Sequence, residues 1–137
     1  MRYDIILHID FDSSEALRLG FRQAFNYRKE AQLHKHGLTA QDIAERAGFV
    51  SLEDVDTFRV VMVVNGPAAQ LLKKENAEQA ERGAKLMDSG LTIRVCNNAL
   101  KAFNVDPADL WEGVEITPAA IVEIVKLQRE GYAYLRP

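Results

Sequence analysis

The sequence predicts an α/β domain, a mainly parallel five-stranded sheet with helices on both faces. Three observations carry that expectation. Strand-like segments rich in β-branched residues alternate with segments of helical periodicity. Phe58 to Asn65 (FRVVMVVN) is a near-continuous apolar run, the pattern of a strand covered on both faces. The junctions carry turn and cap residues, among them Asn65-Gly66-Pro67, Ser89-Gly90 and Thr117-Pro118.

The elements follow in order. Tyr3 to Phe11 (YDIILHIDF) reads as the first strand. Ser13 and Ser14 offer an N-cap, and Ala16, Leu17, Leu19, Phe21, Ala24 and Phe25 recur at helical spacing, predicting a helix to about Leu33. After the second strand, Pro67 suits the first turn of a helix carrying Ala68, Ala69, Leu71 and Leu72. A further helical piece runs from Ala77 to Met87 and closes at Ser89-Gly90. Leu91 to Cys96 (LTIRVC) alternates apolar and polar, a strand with one better-buried face. Asn97 to Phe103 is a short helix with Asn104 as a left-handed C-cap, and Asp106-Pro107 begins a turn through Leu110 and Trp111. Val114 and Ile116 mark a fourth strand, Thr117-Pro118 caps a helix ending at Gly131, and Tyr132 to Leu135 adds a fifth strand.

Composition bounds the function. A chain of 137 residues predicts one domain, and 20 acidic against 17 basic residues give a formal charge of −3. That balance lacks the field of a nucleic-acid or anionic-membrane binder. The longest apolar run, Val60 to Val64, is far too short to cross a bilayer, and the start of the chain does not read as a secretory leader. One cysteine excludes an intramolecular disulfide and a cysteine-based zinc cage. These features predict a soluble cytoplasmic protein without membrane or nucleic-acid partners.

In open parallel sheets ligands sit beyond the carboxyl ends of the strands. Those ends carry His8 and Asp10, then Asn65-Gly66, then Cys96-Asn97-Asn98, then Thr117. Cys96 stands where a strand passes into a short helix, so unpaired amides of Asn97, Asn98 and Ala99 are placed to favour its thiolate. The plain alternative is a buried cysteine acting as a small hydrophobe. With no second cysteine to resolve a disulfide, a single thiol remains compatible with carrying sulfur as a persulfide. His8 is placed to accept the thiol proton if it adjoins Cys96, and is otherwise a hydrogen-bonded, half-buried residue. Asp10 opposes thiolate formation nearby unless it orients His8. Asn65-Gly66 is first a strand-to-helix turn, and functionally an amide cradle for an anion or small polar ligand.

The segments HID, VVNGPA followed by LL, VCNNAL and GVEITPAAIVEIVKLQREGYAYLRP together resemble the DsrE/DsrF-like family of sulfur-oxidation and sulfur-relay systems. The resemblance covers nearly the whole chain outside Lys35 to Asp56. It implies a three-layer α/β/α fold, assembly into homo- or hetero-oligomers such as trimers or hexamers, and a cysteine that receives and passes on sulfane sulfur, a place held here by Cys96. His8, Asp10, Asn65 and Gly66 also match recurring family positions.

Lys35 to Asp56 reads as a helical insertion at the sheet edge, over the site or in a subunit interface. Its Leu38 to Phe49 stretch resembles the opening of a helix-turn-helix, but the acidic Ser51 to Asp56 cannot serve as a DNA-reading helix. His34 and His36 are read as solvated rather than metal-binding, and no cofactor motif occurs. The last helix carries apolar residues over a wide arc, Ala119, Ala120, Ile121, Val122, Ile124, Val125 and Leu127, which predicts a subunit contact.

Three functions fit these features. The first is a sulfur carrier or sulfurtransferase component working through Cys96, with sulfur donor and acceptor proteins as partners. The second is a non-catalytic oligomeric module that binds a small anion or nucleotide in the same crevice. The third is a structural subunit of a sulfur-relay complex.

Overall fold

Apolar β-branched runs become the inner strands. β1 spans Ile5–Ile9, β2 Val60–Val64 and β3 Leu91–Cys96. The computed structural model describes residues 4–35 and 59–137, so the insertion expected near 35–56 lies outside the described residues except for Lys35, which ends helix α1 (Ser14–Lys35). His36 lies outside them too. The remaining elements are a 3-10 helix Gly66–Leu72, α2 (Ala77–Asp88), α3 (Asn97–Ala102), a 3-10 turn Pro107–Asp109, β4 (Glu115–Thr117), α4 (Ala120–Arg129) and β5 (Ala133–Leu135).

The five strands form one sheet in the order β4-β3-β2-β1-β5, and every pair is parallel. Right-handed crossovers explain how the helices divide between the two faces. The first three connections step the same way across the sheet, so α1, the 3-10 helix, α2 and α3 share one face. The last steps back over three strands and carries α4 to the other face.

Side-chain parity agrees. Gly20 of α1 lies against Ile9 and Met62, whose side chains point to the α1 face. Arg94, on the opposite face of β3, meets Glu123 of α4 at 2.6 Å. The three layers expected from the sequence are therefore present.

The core lies mainly between the sheet and the α1 layer, with Leu7, Met62, Ile93, Leu17, Leu72 and Leu100 essentially closed to solvent. Each such side chain contributes about 1.5–3 kcal/mol on burial. Trp111 joins this core rather than a surface turn. Its indole Nε1–H donates to the Lys73 carbonyl at 2.8 Å, and its ring packs on Phe21 with centroids 6.2 Å apart.

Most element boundaries follow local signals. Ser13 Oγ accepts from the Ala16 amide at the start of α1. Asn104 takes the left-handed C-cap position with φ 53°, and Asp106 caps the Pro107 turn through the Ala108 amide. Two boundaries differ from expectation. Gly66–Leu72 is a 3-10 helix rather than the opening of an α-helix. Helix α4 starts two residues after Pro118, with Ala119 at its N-cap and no side-chain cap bond. Its first amide finds another acceptor, described below.

Candidate functional site

Two rows of side chains cross the α4 face of the sheet near its carboxyl edge. The inner row runs His8, Val63, Arg94, Glu115 by direct register. In the outer row Cys96 stands beside Thr117. Asn65 remains extended (φ −142°, ψ 179°) and its amide still bonds the Ile9 carbonyl at 3.1 Å. Continuing the β2–β3 register by one residue therefore sets Asn65 beside Cys96, on a strand about 4.8 Å away. The chain leaving β3 goes on to β4, whereas the chain leaving β4 returns over the other face. The ends of β3 and β4 thus flank a topological switch point, where parallel sheets place ligands.

His8 is held at both ring nitrogens. Nε2 lies 2.8 Å from Asn65 Oδ1 and Nδ1 lies 2.6 Å from the Tyr134 hydroxyl. Because Oδ1 can only accept, Nε2 carries a proton, and in the neutral ring Nδ1 accepts from Tyr134. His8 is thus engaged with Asn65 rather than free to take a proton from Cys96. Asp10 does not orient His8. Its carboxylate pairs with Arg136 at 3.0 Å, and the same guanidinium lies 4.7 Å from the centre of the Phe11 ring. Gly66, at φ +58°, lets the turn after Asn65 close on Asp10, whose carbonyl oxygen would lie 3.2 Å from any added Cβ.

Cys96 is 7% exposed, and its Sγ accepts the Ala120 amide at 3.4 Å. This is the first residue of α4, so the thiol occupies the orphan N–H that Ala119 cannot cap. The sequence-based expectation had the amides of Asn97, Asn98 and Ala99 facing the sulfur. Instead Cys96 makes no cap bond to α3, and its side chain turns to the opposite face, toward the ten-residue α4. Asn97 is half-buried beside it and Asn98 is exposed. The contact sets the sulfur at the N-terminal end of α4.

A family model for the DsrE/DsrF-like family matches residues 24–137. The chain belongs to the DsrE/DsrF-like family. Among solved structures it is similar to MTH1491, a protein of unknown function from Methanobacterium thermoautotrophicum, with TM-score 0.73 and 24% identity over 98% of this chain and 99% of that one. It is also similar to BT1422, a conserved protein of unknown function from Bacteroides thetaiotaomicron, with TM-score 0.64 and 12% identity over 98% and 94% of the two chains. At these identities the likeness establishes a shared fold. No curated protein matches the chain.

In this DsrE-like domain Arg94 fixes α4 over the sheet. It reaches Glu115 at 2.9 Å and Glu123 at 2.6 Å, and Glu123 keeps only 13% of its side chain exposed. Burial disfavours the Arg94 charge, but the hydrogen bonds and charges of the two glutamates outweigh it and hold the guanidinium above its ordinary value. Arg94→Ala leaves a mostly buried carboxylate without its partner and is expected to destabilise by about 2 kcal/mol, below the full cost at a buried site because Arg94 is partly solvated. The check is the urea midpoint together with the rate of Cys96 alkylation, which rises as the start of α4 loosens. An unchanged midpoint contradicts this role for Arg94.

Several residues of the site have no sequence signal of their own. Tyr134 and Arg136 fall on the α4 face only once β5 is paired beside β1, with Ile6 opposite Tyr134. The Ala120 amide belongs to the backbone, and no side-chain pattern announces it. Among the described residues, no group of three or more His, Cys, Asp or Glu side chains is arranged to hold a metal ion, and no helix is long and apolar enough to cross a membrane.

Proposed function

We propose that the chain is a DsrE-like sulfur carrier or sulfurtransferase component that accepts sulfane sulfur as a persulfide on Cys96 and passes it to an acceptor thiol. The observation that carries this reading is the Ala120 amide on Cys96 Sγ at the start of α4, at the switch point of the sheet. The thiol gives its proton to solvent, and the thiolate attacks the sulfane sulfur of a donor R–S–SH. A new S–S bond forms on Cys96, the donor's S–S bond breaks, and the donor leaves as R–S⁻. An acceptor thiolate then takes the terminal sulfur and regenerates the Cys96 thiolate, so the cycle has no net oxidation. The Ala120 amide supports the anionic sulfur. His8 acts as a positioning residue, with Tyr134 and Asn65 as its partners, and the spare Asn65 Nδ2 donor serves the terminal sulfur. Asn97, Asn98, Gly66 and Asp10 bound the crevice.

The reading is tested with a radiolabelled persulfide donor. Label co-eluting with the protein, released by a reductant and transferred to a small acceptor thiol, supports it. Absence of label on the folded protein overturns it. The low exposure of Cys96 favours a second reading, a non-catalytic module that binds a small anion or nucleotide in this crevice while the thiol packs. Ligand affinity retained in Cys96→Ala, with no sulfur uptake by the wild type, selects that reading.

The carrier is further proposed to work as a cytoplasmic homo-oligomer, a trimer or hexamer, where a lone thiol stays reduced between cycles. Ile121, Val122 and Val125 stand exposed on the outer face of α4. Contiguous apolar surface of this kind marks association sites. Light scattering is expected to give three or six chains per particle, and Val122→Asp is expected to lower that number. A wild-type monomer contradicts the homo-oligomer and favours the structural-subunit reading, in which α4 waits for a different chain.

A further inference from the structure

On the opposite face of the sheet from Cys96, α1 and α2 border an open cleft of about 400 Å³ whose lining includes Arg18, Phe21, Arg22, Phe25, Arg82 and Lys85. Its volume falls in the range of small-molecule sites, which run from roughly 300 to 1,000 Å³. Four cations around one cleft are unexpected in a chain of net charge −3. Cations gathered at one cleft attract an anion between them.

The cations are not equivalent. On α2, Arg82 is 3.4 Å from Glu78 and Lys85 is 3.7 Å from Glu81, both one turn away. On α1, Arg18 and Arg22 also sit one turn apart, but neither has a carboxylate partner among the described residues. Two guanidinium forks with open donors, one helical turn apart, match the oxygens of a phosphate or diphosphate. The exposed pairs on α2 are weak enough for a phosphate to compete with the glutamates.

The rest of the lining is apolar. Phe21 is a closed floor at 5% exposure, whereas the Phe25 ring is 64% exposed at the wall. An aromatic ring left in water beside arginine side chains offers a stacking surface for a flat heterocycle. The cationic rim extends only about one helical turn along each helix, which suits a small ligand and not a polymer.

We propose that this α1–α2 cleft binds a phosphorylated aromatic small molecule of the nucleoside diphosphate type, with the phosphates on Arg18 and Arg22 and the ring against Phe25. The site lies on the other face of the sheet from Cys96 and stands independently of the sulfur-carrier reading.

The test is calorimetric titration of the full chain at low salt with ADP, adenosine and pyrophosphate. One ADP is expected per chain, with adenosine and pyrophosphate each at least tenfold weaker. Arg18→Ala/Arg22→Ala is expected to weaken ADP at least tenfold, and raised salt to weaken it further. Phe25→Ala is expected to weaken ADP severalfold and leave pyrophosphate unchanged. These changes are at exposed positions, and the rate of Cys96 alkylation should not move. No saturable ADP binding, or ADP binding that survives the double substitution, overturns the proposal. Pyrophosphate binding as tightly as ADP overturns the aromatic part and leaves a plain anion site.

Discussion

Cys96→Ser is expected to abolish sulfur uptake while leaving the fold in place. The serine Oγ is smaller than sulfur but can still accept the Ala120 amide, so the orphan donor at the start of α4 keeps a partner. The cost in stability is about 1 kcal/mol, the order of one weakened hydrogen bond and a small loss of packing. The loss of sulfur loading should be complete, because the chain holds no other cysteine to substitute for it. Cys96→Ala makes the contrast. It removes the same chemistry but strands the Ala120 amide in a buried place, adding about 1–3 kcal/mol of destabilisation. A serine variant that is only slightly destabilised and takes no label, beside a still less stable alanine variant, separates the chemical role of the sulfur from its role as a cap. Equal stability of the two variants would contradict the capping role.

The second large effect lies in the core behind the site. Trp111 is 4% exposed, donates to the Lys73 carbonyl and fits against Gly83 so closely that an added Cβ would lie 2.9 Å from its ring. Its own amide bonds the Leu72 carbonyl at 2.9 Å, tying the approach to β4 onto the 3-10 helix. Trp111→Ala is expected to cost about 3–5 kcal/mol, a large share of a typical domain's stability. The melting temperature should fall by roughly 10–15 °C. The reciprocal change is more diagnostic. Gly83→Ala improves helix propensity by about 1 kcal/mol in an open helix, yet here it drives a methyl into a rigid indole. The variant should be less stable than the wild type, and Trp111→Phe should recover part of the loss when combined with it. A stabilising Gly83→Ala would show that the helix and the indole do not meet this closely.

Much of this architecture is legible locally. β3 begins and ends where the alternation Leu91 to Cys96 places it, and Asn104 takes the left-handed cap its position suggests. The apolar runs of β1 and β2 name interior strands because both faces must be covered. What the sequence conceals is tertiary. Thr117-Pro118 looks like a helix start, but the acceptor for the first free amide of α4 is the thiol of Cys96, 24 residues earlier in the chain. No local pattern encodes that contact.

The direction of Cys96 is hidden for the same reason. A strand residue followed by a helix invites the reading that the following amides face its side chain. Strand parity turns the sulfur to the opposite face, and only the return crossover of α4 shows what meets it there. The ties from His8 to Tyr134 and from Asp10 to Arg136 each span 126 residues and require β5 to dock beside β1. The apolar arc of α4, by contrast, is legible, since its outward residues can be counted from the sequence and are exposed in the fold.

Cys96, buried but bonded to the start of α4, is expected to be a working thiol in the folded protein. Intact-protein mass spectrometry after incubation with a persulfide donor tests it most directly, with alkylation under native and denaturing conditions measured in parallel. The expected result is a gain of one sulfur atom on the wild type, reversed by a reductant and absent from Cys96→Ser. No gain, together with a thiol that resists alkylation until the protein is denatured, would make Cys96 a core residue and contradict the sulfur-carrier reading.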